Sequence, residues 1–287
     1  MFQRIANGWE LTKQSWSLLK SDKQLMVFPI LSSAACFLVL ASFALPMVAT
    51  MDWSRLSDPD GRVHYFNGPV AYLVAFAFYF TNYFVISFFN AALIGAAMRK
   101  FEGESASVRD GLAVAASRLP QLLGWALVAA TVGMVLRMIS ERAGLIGKIV
   151  IGLIGMVWSI ATYFVVPVLV VEGVGPIDAV KRSGAIIRKT WGESLTANVG
   201  IGVIVMFATL LALLPAIAGI ATTAAADTAV PAVIGIVATV LLLLVISLVA
   251  STLQVILVAA VYRYAATGLV PEQFDGATLR QVFRKKK

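Results

Sequence analysis

The sequence predicts an all-α, polytopic membrane protein. It should have six transmembrane helices arranged as three hairpins, each preceded by an amphipathic helix on the cytoplasmic surface of the bilayer. Three observations predict this. The chain is 60% hydrophobic and 13% charged, against about 45–50% and about 25% for soluble domains. Its apolar residues gather into six runs of the length a hydrocarbon core demands of a helix, about 20 residues. Its Lys and Arg residues flank those runs.

The spans read as 25–50, 69–98, 121–137, 149–171, 195–221 and 230–262. They are expected as helices because backbone amides in hydrocarbon must be satisfied within the segment, and none alternates every second residue as a barrel strand would. Pro29 falls in the first turn of the first span, and Pro69 and Pro231 open the second and sixth, where a missing N–H costs little. Pro46 and Pro215 lie near the outer ends of the first and fifth. Pro167 falls inside the fourth and should kink or end it. The first span reads as a retained anchor, because its apolar run exceeds that of a cleaved signal. The expected organisation is one membrane domain over 1–272 and a basic cytoplasmic tail over 273–287.

Orientation follows the cationic residues. Eighteen of the 23 Lys and Arg residues fall in the N-terminal segment, the second-to-third and fourth-to-fifth connections, and the tail. The other five are Arg55, Arg62, Arg137, Arg142 and Lys148. Both termini should therefore be cytoplasmic, in the cell (inner) membrane. The third-to-fourth connection, with three of those five, fits the rule least well.

The segments before the hairpins share a pattern. Phe2, Ile5, Trp9, Trp16 and Leu19 make one helical stripe flanked by Lys13 and Lys20. Ile177, Val180, Gly184, Ile187 and Trp191 make another, with Lys181, Arg182 and Lys189 off it. Val108, Leu112, Ala115 and Leu119 make a weaker third. Leu11-Thr12-Lys13-Gln14-Ser15-Trp16 aligns with Ile186-Ile187-Arg188-Lys189-Thr190-Trp191, which suggests a repeated unit of interfacial helix plus hairpin. Trp and cations at headgroup level anchor such helices. In the tail, Leu279, Val282 and Phe283 oppose Arg280, Arg284 and Lys285. The expected partner is the bilayer, through anionic headgroups at Lys13, Trp16, Lys20, Lys181, Arg182, Arg188, Lys189, Trp191, Arg280, Arg284 and Lys285. A net charge of +8 distributed around spans points to lipid and not to nucleic acid.

The chain resembles, over nearly its whole length, a family of uncharacterised polytopic bacterial membrane proteins defined by a domain of unknown function. Gly8-Trp9-Glu10-Leu11-Thr12-Lys13-Gln14-Ser15-Trp16 and the stretch from Val166 to Ser183 carry that resemblance. More loosely, the pattern Glu172-Gly173-x-x-Pro176-x-x-Ala179-x-x-x-Ser183 is similar to the membrane domain attached to some glycerophosphoryl diester phosphodiesterases, without their catalytic barrel. The resemblance implies a six-helix prokaryotic membrane fold and no activity.

Chemistry has few residues to use. One cysteine, Cys36, allows no intrachain disulfide and no Cys-based metal site, and reads as a small buried hydrophobe. One histidine, His64, sits in a polar loop. Neither a carboxylate pair nor a nucleophile elbow is present, so the expectation is no enzyme and no cofactor. Arg137 and Glu172 lie at span ends and can snorkel, and Asp227 falls in an outer turn. The uncharged polar candidates are Asn82, Ser87 and Asn90 in the second span and Ser247, Ser251 and Gln254 in the sixth, with Thr162 and Asn198 elsewhere. They read first as interhelical hydrogen-bonding groups, or else as a polar lining. Small residues at Ala91/Gly95, Ala92/Ala96 and Gly152/Gly155 should allow close helix packing. Two functional readings follow: a non-enzymatic membrane scaffold or lipid-interacting module with a basic cytoplasmic face, or a small permease or channel lined by the second and sixth spans.

Overall fold

A computed structural model of the chain describes residues 2–49, 69–189, 193–226, 228–271 and 274. Arg55, Arg62, His64, Trp191, Asp227 and the tail residues Arg280, Arg284 and Lys285 lie outside the described residues, as do the side chains of Phe2, Arg4, Ile5, Lys189 and Asn198. The described elements are helical: α1 (Phe2–Ser21), a 3₁₀ turn (Lys23–Met26), α2 (Val27–Ala49), α3 (Pro69–Phe101), α4 (Val108–Ser117), α5 (Leu119–Arg142), α6 (Leu145–Ala161), α7 (Val165–Glu172), α8 (Pro176–Lys189), α9 (Glu193–Ala212), α10 (Leu214–Ala226) and α11 (Val230–Thr267).

Six stretches are long and apolar enough to cross a membrane: Lys23–Ala49, Val70–Phe101, Leu119–Arg142, Leu145–Glu172, Ile201–Thr223 and Val230–Thr267. Their greasy surface is not hidden by the protein itself. Leu145 and Ile146 are 81% and 79% exposed, and Phe37, Leu38, Val70 and Leu73 are exposed as well. At about 25 cal/mol per Å² of apolar surface, so many bare side chains are stable only in a lipid solvent.

Two spans are broken, each beside a proline. In the fourth, α6 stops at Ala161 and α7 restarts at Val165, with Pro167 two residues further on. The proline has no N–H to give and its ring crowds the preceding turn, so the helix breaks upstream of it. At this break the Phe164 N–H donates to the Ser183 Oγ at 3.0 Å. In the fifth, α9 gives way to α10 at Leu213, next to Pro215. The Ala216 N–H donates to the Thr239 Oγ1 of α11 at 3.1 Å. A hydroxyl from another helix thus satisfies a backbone donor at each break, as hydrocarbon requires.

Close packing divides the chain into two compact units. The first draws on Met1–Pro29, Leu93–Asp110 and Ile186–Lys287. Here α1 packs on α9 and α11, and α10 packs along α11. A Cβ at Gly219 would lie 2.3 Å from the Pro231 carbonyl oxygen, and one at Gly235 would lie 2.2 Å from the Pro215 carbonyl oxygen. Only glycine allows these two backbones to approach so closely. Lys100 pairs with Asp22 at 2.8 Å, Asp22 caps the 3₁₀ turn through the Gln24 N–H, and Phe101 meets Phe274 edge to face at 5.8 Å.

The second unit comprises Ile30–Ala92 and Gly111–Ala185. In it α5 packs against α6 and α7, and Trp125 stacks on Trp158 with ring centres 6.2 Å apart. Every residue of α6 is at least partly exposed. The close packing expected at Gly152 and Gly155 is not found: a Cβ at either would meet nothing within 4 Å among the described residues. Gly219 and Gly235 hold the tight contact instead, because a glycine matters only where another backbone reaches it. Ala91, Ala92 and Ala96 are fully buried as expected. Cys36 is half-buried on α2, not fully enclosed.

Candidate functional site

The residues singled out as lipid contacts begin on α1. Its buried face is Leu11, Thr12, Ser15, Leu18 and Leu19. Trp9 and Trp16, expected on the same stripe as Leu19, are 46% and 40% exposed. They lie instead with Lys13 and Lys20, each four residues further on. Lys13 Nζ sits 6.0 Å from the Trp9 ring and Lys20 Nζ 5.5 Å from the Trp16 ring. At 100° per residue these four side chains form one stripe, about 130° from the buried one. The helix therefore has two faces, one filled by aliphatic and hydroxyl groups against the protein and one alternating indole with ammonium.

On α8 the buried positions are Ala179, Ser183, Ile186 and Ile187, whereas Ile177 is 56% exposed. The expected stripe through Ile177 and Val180 is thus rotated by part of a turn. The aligned positions behave alike: Leu11 and Ile186 are buried, as are Thr12 and Ile187, while Lys13 and Arg188 are exposed.

The cations differ in what holds them. Lys13 pairs with Glu10 at 3.4 Å, Lys181 with Asp178 at 3.2 Å and Arg182 with Glu172 at 3.0 Å. Lys20 and Arg188 have no carboxylate at ion-pair distance among the described residues. Exposed pairs contribute little to stability, so these contacts hold the cations only weakly.

The motif running from Glu172 to Ser183 has a packing reason at each of its fixed positions. Glu172 pairs with Arg182. Gly173 ends α7 with φ +67, and a Cβ there would lie 2.6 Å from the Arg118 guanidinium. Pro176 opens α8 against Gly124, whose added Cβ would meet the proline ring at 3.0 Å. Ala179 and Ser183 are fully buried, and Ser183 closes the break at Phe164. Around this turn Arg118 Nε donates to the Val170 carbonyl at 3.1 Å and Gln121 Nε2 to the Gly173 carbonyl at 3.3 Å. The Gln121 amide oxygen is buried without a donor among the described residues. Sequence reasoning took Arg118 only as a topogenic charge and passed over Gln121. The adjoining Pro120, which starts a helix beside them, was the available signal.

Of the polar candidates inside spans, Ser87 is buried and Asn82 and Asn90 are half-buried on α3, in the second unit. Ser247, Ser251 and Gln254 are exposed on α11, in the first unit. Asn82 Nδ2 donates to the Phe78 carbonyl at 3.0 Å and Ser251 Oγ to the Leu248 carbonyl at 3.0 Å. Thr162 and Thr252 likewise bond carbonyls of their own helices. Much of the hydroxyl hydrogen bonding expected between helices is thus local, whereas Ser183 and Thr239 reach another element. Among the described residues no three His, Cys, Asp or Glu side chains are grouped to hold a metal ion.

Long apolar helices with bare surfaces, with a hydroxyl accepting a backbone N–H at the breaks beside Pro167 and Pro215, define a multi-pass membrane protein. Residues 69–271 match the profile of a family of unknown function, DUF6159. That match covers well over half of the chain, which therefore belongs to this family. No curated protein and no solved structure is significantly similar to it.

Proposed function

We propose that this chain is a non-enzymatic module of the cell (inner) membrane. Both ends lie in the cytoplasm, and its basic inner face gathers anionic lipid headgroups. The observation that carries the reading is the alternation Trp9–Lys13–Trp16–Lys20 on the exposed side of α1, opposite a fully packed side. Indole rings favour the headgroup layer, and each nearby cation gains about 1 kcal/mol from an anionic surface. Because Leu11, Ser15 and Leu18 tie the helix to the rest of its unit, the stripe is presented without the entropy loss of ordering a free amphipathic segment on lipid. Lys20 and Arg188 are the contacts expected to matter most. In this reading α1, α4 and α8 lie against the inner surface, each ahead of a hairpin of two spans.

The test is thermal stabilisation of the purified full-length protein by phosphatidylglycerol against phosphatidylcholine at rising salt. Anionic lipid should stabilise it and the effect should shrink with salt, since exposed charges are screened. Lys20→Gln combined with Arg188→Gln should remove most of the difference between the lipids. Equal stabilisation by both lipids, or a difference indifferent to salt and to the double substitution, refutes the reading.

A further inference from the structure

We propose that the second unit holds one phospholipid with a zwitterionic, primary-ammonium headgroup in a cavity formed by α2, α3 and α5. The site is separate from the basic face and does not rest on it. The cavity measures about 620 Å³, within the range of ligand sites. Its walls include Leu40, Phe43 and Met47 of α2 and Met134 of α5. Phe43 meets Phe78 edge to face at 5.5 Å. Leu40 and Met47 are each 50% exposed, so the apolar wall is open to the hydrocarbon around it. An acyl chain matches such a wall, and methionines adapt to its shape.

Besides Tyr72, the cavity's polar lining includes three groups joined by hydrogen bonds. Arg137 Nε donates to Glu141 Oε1 at 2.9 Å. Arg137 Nη1 donates to the Tyr79 hydroxyl, and all three residues line the cavity. Arg137 stands eighteen residues past Leu119, about 27 Å along the helix at 1.5 Å per residue. That is close to the far edge of a hydrocarbon layer about 30 Å thick, where phospholipid headgroups begin.

The charges select the headgroup. Arg137 and Glu141 sum to zero, and each keeps hydrogen-bonding capacity: guanidinium N–H groups on one and a second carboxylate oxygen on the other. A phosphate meets the guanidinium, and a primary ammonium donates to the carboxylate. A glycerol-type anionic headgroup brings no cation to Glu141. A choline headgroup brings a cation with no N–H to donate. An ethanolamine-type headgroup satisfies both residues.

The experiment is native mass spectrometry of the full-length protein in mild detergent, offered equal amounts of phosphatidylethanolamine, phosphatidylcholine and phosphatidylglycerol with identical chains. A single phosphatidylethanolamine should be retained about tenfold over either competitor, the order that one charge-assisted hydrogen bond supplies. Glu141→Gln should erase the preference over phosphatidylcholine. Met138→Trp, which fills the cavity from α5, should abolish the one-to-one adduct while the melting temperature stays unchanged. Tyr79→Phe provides a milder variant that keeps the ring and should weaken retention without unfolding the bundle. Equal retention of the three lipids by the unaltered protein overturns the proposal. So does a preference that survives Glu141→Gln, or an adduct that survives a folded Met138→Trp.

Discussion

The hydroxyl of Ser183 takes the backbone N–H of Phe164 at 3.0 Å, nineteen residues away, and both groups are buried. This contact ties the fourth span, at the point where Pro167 has interrupted it, to the helix that follows. The same solution recurs where Thr239 receives the Ala216 N–H beside Pro215. In a bilayer a proline break is sustainable only when another group replaces the lost acceptor.

Removing that group should be costly. Ser183→Ala removes the hydroxyl that accepts a buried N–H, a loss of about 1–3 kcal/mol. Ser15, equally buried, bonds the Leu11 carbonyl of its own helix. Ser15→Ala should cost only about 0.5 kcal/mol, because that carbonyl keeps its helical partner. Thermal unfolding of both variants in one detergent measures the contrast.

Gly219→Ala should destabilise the first unit by about 1–3 kcal/mol, since the new methyl would overlap the Pro231 carbonyl and force the helices apart. Gly152→Ala should be neutral or slightly stabilising, because its Cβ meets nothing within 4 Å among the described residues and alanine is the better helix former. The same unfolding assay compares them.

These contrasts mark where reading the sequence succeeds and where it stops. The spans were legible because length and hydropathy are properties of the chain alone. The break near Pro167 was legible because a proline acts on its own helix. The packed face of α1 was not. Leu11, Ser15 and Leu18 repeat with the same helical spacing as Trp9, Lys13, Trp16 and Lys20, and periodicity does not say which stripe meets protein. The glycines show the same limit: Gly152 and Gly219 are the same residue in similar surroundings, and only a neighbouring helix separates them. The grouping of Tyr79 with Arg137 and Glu141 was out of reach for the same reason, since Tyr79 lies 58 residues away from Arg137.

Acid should fray the start of α4. Asp110 accepts the Ser107 N–H at 2.9 Å and the Ser107 hydroxyl at 2.7 Å, while its own N–H donates to the Ser107 Oγ at 3.2 Å, the reciprocal arrangement of a helix capping box. The Ser107 backbone bond, then the Ser107 hydroxyl, holds the carboxyl below its ordinary value of 3.8. A depressed carboxylate contributes stability that is full above its unfolded-state pKa and is lost as pH falls through the lower folded value. Amide exchange at Ser107, corrected for its intrinsic rate, should therefore accelerate below pH 3.8. Asp110→Asn should show reduced protection already at neutral pH.

Six crossings with the Lys- and Arg-rich segments inside underlie the proposed lipid-facing roles, and labelling of single cysteines in cells tests this topology directly. On a Cys36→Ser background, Ala143→Cys and Thr228→Cys should react with an impermeant thiol reagent applied from outside. Gln14→Cys and Glu104→Cys should react only after the membrane is opened. Labelling of Glu104→Cys in intact cells, or protection of Thr228→Cys until lysis, would contradict the topology and the lipid-facing roles built on it.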